Sequence, residues 1–179
     1  MTSFVAMLRG VNVGARNKIK MSDLEALFVG LGHTAVVTYI QSGNVVFKSR
    51  SKSSTTVARG IEERIVHDLG LDVHVLVRTH DDLAALARAN PFLKSGADGA
   101  RLHVTFLADR PGAELVRAVS SFDAGVDEFC VIGREVYLHC PNGYGKTKIN
   151  NGFFEKRLAA IATTRNWNTV TKLLELASA

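Results

Sequence analysis

What is scarce in this 179-residue sequence narrows its reading first. Only two cysteines are present, Cys130 and Cys140, and they do not form a CxxC pair. Neither a disulfide framework nor a cysteine zinc site is therefore expected. No apolar run approaches the roughly 20 residues that a membrane span needs, and Arg9 interrupts any N-terminal leader. These absences predict a cytoplasmic protein with free thiols and no membrane partner. Catalytic signatures are missing too: there is no Gly-x-Ser-x-Gly elbow, no HExxH, and no pair of acids at a catalytic spacing on one element. The sequence names no general base and no cofactor, so whether the protein is an enzyme stays open.

Acids are also unevenly absent. None precedes Asp23, none lies between Glu25 and Glu62, and none between Glu135 and Glu155. Those stretches hold Arg9, Arg16, Lys18 and Lys20, then Lys48, Arg50, Lys52 and Arg59, then Lys146 and Lys148. The formal net charge is +5, and its clustering fits a partner that carries phosphate, either a phosphorylated small molecule or nucleic acid. A solvated basic surface has the same composition. No nucleic-acid motif is present, since Asn44-Val45-Val46-Phe47 has one aromatic where an RNA-binding strand wants several.

Hydrophobic periodicity orders the chain as β-α-β-β-α-β, twice. Residues 4–9 read as a strand, 22–31 as a helix capped by Ser22, and 35–40 and 44–48 as a hairpin. Residues 55–69 form a helix ending at Gly70, and 73–79 alternate as a half-buried strand. A short helix over 81–89 and a glycine-containing linker to residue 100 follow. Residues 101–108, 111–122, 126–132 and 135–140 repeat the order, with a helix over 151–160 and a weak last strand near 161–163. Thr163 and Thr164 are expected to cap a last helix over 166–177. The fold class is thus α+β: two ferredoxin-like βαββαβ repeats with antiparallel sheets, plus a C-terminal helix. The expected domains are 1–80, a helix and linker over 81–100, and 101–179.

This topology puts the end of the first strand beside the turn of the first hairpin. The connection over residues 9–20 is longer than geometry demands, and it holds two glycines, two asparagines and four cations. It meets Gln41-Ser42-Gly43-Asn44 at one sheet edge, while the second repeat has only plain turns there. An anion site fits this edge; Asn12 or Asn17 in a left-handed turn is the structural alternative.

Three further constellations follow. Residues 140–148 contain Gly-Lys-Thr, but Cys140 stands where a phosphate loop needs its first glycine. An ATPase or GTPase is therefore not expected, although Lys146 and Lys148 can still contact a phosphate. His103 and His139 would face each other if their strands are antiparallel neighbours, but nothing completes a metal set, and half-exposed sheet histidines are the expectation. Trp167, the only tryptophan, is either a core anchor or a stacking platform.

Four separated motifs carry a resemblance. Leu8-Arg9-Gly10-Val11-Asn12-Val13-Gly14 with Lys18 and Met21 is the first, and Tyr39-Ile40-Gln41-Ser42-Gly43-Asn44-Val45-Val46-Phe47 the second. Tyr144-Gly145 with Lys148 and Thr163-Thr164-Arg165-Asn166-Trp167-Asn168-Thr169-Val170 complete them. Together they resemble the bacterial family known only as domain of unknown function 1697. The resemblance implies two βαββαβ repeats in one compact unit, and no activity, substrate or cofactor. Its motif positions single out Arg9, Asn12, Gln41, Ser42, Asn44, Lys148, Arg165, Asn166 and Trp167. The chain departs from the family pattern at Ala15-Arg16, where a second glycine is common, and at Lys20, where proline is common. On these grounds Arg9, Lys18 and Lys148 are expected to supply charge to an anionic ligand, with Asn12, Gln41 and Asn44 orienting it.

Overall fold

Alternating apolar residues in Phe4, Ala6 and Leu8 give strand β1 (Thr2–Leu8) a face that must be covered, and two helices cover it. The computed structural model, which describes residues 1–179, follows β1 with α1 (Met21–Gly30), β2 (Thr34–Tyr39), β3 (Asn44–Ser49), α2 (Ser54–Leu69) and β4 (Val75–Thr79). The sheet runs β2-β3-β1-β4, with every neighbour antiparallel. Leu24 and Phe28 of α1 and Val57, Ile61 and Ile65 of α2 pack on Phe4, Val45, Phe47, Val75 and Val77. Ser53 caps α2 by accepting from the Thr56 N–H, and Gly70 ends it in the left-handed conformation. Helix α1 starts one residue before the sequence suggests, on an extended Lys20, so Ser22 lies inside it and caps nothing.

The opposite face of this sheet is buried as well, through Val5, Met7, Val46 and Leu76. β4 is therefore not half-buried, as its alternation suggests, because Arg78 on that face is only 1% exposed. Its guanidinium donates to the Val77 carbonyl, and a buried cation requires such partners.

The second repeat is preceded by α3 (His80–Ala89), α4 (Pro91–Lys94) and a 3-10 turn over Gly99–Arg101, so the expected linker is itself structured. Then come β5 (Leu102–Leu107), α5 (Ala113–Ser120), β6 (Glu128–Ile132), β7 (Glu135–His139), α6 (Asn151–Leu158), β8 (Ala162–Asn166) and α7 (Trp167–Ala177). The strand order is β6-β7-β5-β8, the same plan as the first sheet. β8 is a full strand, paired with β5 from Ala162 to Asn166. Thr163 and Thr164 are thus in the ladder instead of capping α7. Asn166 takes that role, its Oδ1 accepting from the Thr169 N–H at 2.8 Å. Two compact units result: Met1–Ala84 with Lys172–Ala179, and Ala85–Thr171.

The repeats match in their main-chain clamps. The Leu8 N–H donates to the Gly43 carbonyl at 2.8 Å, and the Leu107 N–H to the Arg134 carbonyl at 2.9 Å. Each bond ties the end of a first strand to its hairpin turn. The next residues repeat the symmetry, with Arg9 N–H to His74 O and Ala108 N–H to Ile161 O, both 2.9 Å.

Candidate functional site

The loop over residues 9–20 is pinned at both ends by apolar side chains. Val11 and Ile19 are buried in the first unit's core, while residues 13–16 between them turn back in a small hairpin through a Val13–Arg16 bridge. Asn12 and Asn17 take positive φ of 55° and 48°, a conformation that asparagine tolerates better than most residues. The Asn12 Oδ1 accepts from the Ile19 N–H at 2.9 Å. Its Nδ2 donates to the carbonyls of Ile19 at 3.0 Å and Gln41 at 2.7 Å. Asn17 donates to the Gly10 carbonyl. These bonds close the loop on itself, and Asn12 fastens it to the β2–β3 turn.

That turn is equally built. Asn44 is fully buried and donates to the Tyr39 carbonyl and the Ser42 hydroxyl. Gly43 has φ of 79°, and an added Cβ would lie 2.9 Å from Leu8 Cβ. Ile40 holds φ of 50° while 47% exposed. A β-branched residue is strained in that region. Gly10, Asn12, Gly14, Asn17, Ile40 and Gly43 thus gather six left-handed residues on one edge.

Between the loop, the turn and the end of α2 lies a cleft of about 410 Å³, lined by Asn12, Lys18, Ile19, Lys20, Asp23, Gln41 and Leu69. The ammonium groups of Lys18 and Lys20 are in no ion pair. Of the expected ligand-binding residues, Asn12, Lys18 and Gln41 line this cleft. Ser42 and Asn44 build the turn, and Arg9 sits half-buried at the end of β1, outside the lining. Lys20, Asp23 and Leu69 are additions. The acid-free run already flagged Lys20, whereas Asp23 and Leu69 come to the cleft only through the packing of α1 and α2.

In the second unit, Lys146 and Lys148 are exposed on the loop over residues 141–150. The Thr147 hydroxyl donates to Asp127 at 2.7 Å, and Asn150 caps α6. The Tyr144 ring stacks on His103 with centroids 4.8 Å apart, and its hydroxyl donates to Thr164. The Thr164 hydroxyl lies 2.7 Å from that of Thr105 and donates to Asn151 at 2.6 Å. Arg165 is 7% exposed, its Nη1 donating to Thr163 Oγ1 and to the Thr164 carbonyl. Burial pulls its pKa down to about 10. Trp167 is 7% exposed and packs over Gly99, so its ring is an anchor in the fold.

The facing-histidine expectation fails on register. Leu102 pairs with His139 and His103 with Leu138, and an offset of one residue puts the imidazoles on opposite faces. His139 instead lies 3.1 Å from Glu128, and no group of three His, Cys, Asp or Glu is placed to hold a metal. Burial, with the negative charge of Asp127 adding to it, pushes the Cys140 thiol up to about 11 and keeps it protonated. No helix is long and apolar enough to cross a membrane.

Residues 1–137 match the model of the family DUF1697, described as protein of unknown function. The match spans the first-unit cleft and ends before Lys146, Lys148, Arg165, Asn166 and Trp167. A solved structure, that of a conserved bacterial protein from Streptococcus pneumoniae, is similar with a TM-score of 0.80 and 24% identity over 98% of each chain. At that identity the likeness establishes the fold. No curated protein matches the chain.

Proposed function

We propose, for a chain that belongs to the DUF1697 family of proteins of unknown function, that the first-unit cleft binds a small phosphorylated molecule. The observation that carries this reading is the pair of unpaired cations, Lys18 and Lys20, on one cleft whose walls are held by Asn12. Lysine is a mobile point charge suited to a phosphate, and a loop fastened by its own hydrogen bonds has less entropy to lose on binding. The Gln41 carboxamide and the Asp23 carboxylate add polar selectivity. Asp23 repels a bare dianion and accepts hydrogen bonds, so the cleft favours a phosphate that carries hydroxyl or amino groups nearby, as a sugar phosphate does. Arg9, Ser42 and Asn44 serve as the frame. The free thiols Cys130 and Cys140 support a cytoplasmic setting.

The test is a thermal-melt panel of sugar phosphates, mononucleotides, inorganic phosphate, short RNA and short DNA. A ligand at about a hundred times its dissociation constant adds roughly 2.7 kcal/mol. We expect one small phosphate to raise Tm, and Lys18→Ala with Lys20→Ala to remove that rise while leaving the unliganded Tm in place. A rise that survives both substitutions would sink the site. A response to nucleic acid alone, fading with salt, would transfer the function to the basic surface.

A further inference from the structure

The matching clamps of the two repeats define an equivalent place in the second unit, at the end of β5 beside the β6–β7 turn. A cleft of about 320 Å³ lies there. Its chemistry differs from that of the first. Arg110 and Arg117 line it, and neither guanidinium is held in an ion pair. Val116 and Arg117 are on the α5 stripe that faces the cleft, and Glu114 is not among the lining residues. Pro111, Val131 and Gly133 complete apolar walls, and no carboxylate is among them.

We propose that this cleft is a second, independent binding site for a small organic anion with a flat apolar body. The two guanidiniums match the planar geometry of a carboxylate or phosphate through paired N–H donors. Val116, Val131 and Pro111 take the apolar part out of water. Lysines and a carboxylate line the first-unit cleft, so the two clefts select different ligands. The repeats have kept one frame and separate specificities.

The full chain is titrated with phenyl phosphate, benzoate and inorganic phosphate, and the backbone amides are followed by 1H–15N NMR. Saturable shifts are expected at Ala113, Val131 and Gly133. The better aromatic anion should bind about tenfold tighter than inorganic phosphate, the gain expected from burying roughly 50 Å² of ring. A stronger response to phenyl phosphate than to benzoate assigns phosphate chemistry to the site, and the reverse assigns carboxylate chemistry. Arg110→Gln with Arg117→Gln, both exposed positions, should abolish the shifts in a spectrum that is otherwise preserved. Shifts that persist in that variant, or that inorganic phosphate matches, overturn the proposal. Shifts confined to Asn12, Lys18 and Gln41 overturn it too, while leaving the first-unit reading standing.

Discussion

The carboxamide of Asn12 makes three hydrogen bonds, and each goes to a main-chain group of the loop or the neighbouring turn. A residue type that invites a ligand role is here the fastener of the loop, and the cleft-lining groups outside any ion pair are its neighbours Lys18 and Lys20. A net hydrogen bond is worth about 1 kcal/mol, and these are partly exposed, so Asn12→Ala should cost about 2 kcal/mol in urea unfolding. Asn12→Asp should cost more. It keeps an acceptor for the Ile19 N–H but turns an anionic oxygen toward the carbonyls of Ile19 and Gln41. That strain lifts the new carboxyl's pKa, so the Asp variant should regain stability as pH falls and the group protonates. An Asp variant as stable as the wild type at neutral pH would show that the two donated bonds contribute nothing.

At the scale of elements, β5 shows what the sequence discloses and what it withholds. Its alternation was legible, with Leu102, Val104 and Phe106 on one face and His103 and Thr105 on the other. Its register against β7 was not, because register follows from turn geometry and a one-residue offset reverses every face. β8 was nearly invisible, since Thr163-Thr164-Arg165-Asn166 has the composition of a helix cap and only pairing with β5 makes it a strand. The convergence of residues 9–20 with the β2–β3 turn was legible from topology, because antiparallel order allows no other placement. That Asn12 would be taken up by main-chain groups depends on its positive φ, which no spacing reports. Burial of His103 has a measurable consequence. Its Nδ1 is enclosed without a partner, and burial pushes its pKa below the ordinary value. The unfolded chain then takes up a proton more readily than the fold does. Stability from this group is complete above about pH 6.5 and is lost as pH falls below it. His33 is depressed by burial in the same direction. His103→Phe, which keeps a ring against Tyr144, should therefore shrink but not remove the drop in Tm between about pH 7.5 and pH 5.5. An undiminished drop in that variant would mean that His103 titrates as freely in the fold as outside it.

Across the whole molecule, one plan is used twice, and the surface of each copy is elaborated differently. The first unit lengthens its β1–α1 connection and fills it with amides and lysines. The second keeps a short connection and sets arginines on α5 and the residues before it. A loop can diverge in this way because the clamp from strand end to hairpin carbonyl is a main-chain bond, indifferent to side-chain identity. The chain closes its first unit late. Residues Lys172–Ala179 belong to that unit, although they follow the second repeat in sequence. Leu173 and Ala177 are buried, the Ser3 hydroxyl donates to the Ala177 carbonyl at 2.8 Å, and Ser178 Oγ lies 3.1 Å from His80 Nε2. Loss of a buried leucine side chain alone costs about 2–5 kcal/mol, so a chain ended at Thr171 should lose at least about 3 kcal/mol. The loss should be local to the first unit, because its edge is where the missing contacts fall. Amide exchange should speed up in β1 and at the start of α3, while β6 and β7 keep their protection. Unchanged exchange in β1 would show that the last eight residues are dispensable, and uniform loss in both sheets would show that the two units unfold as one.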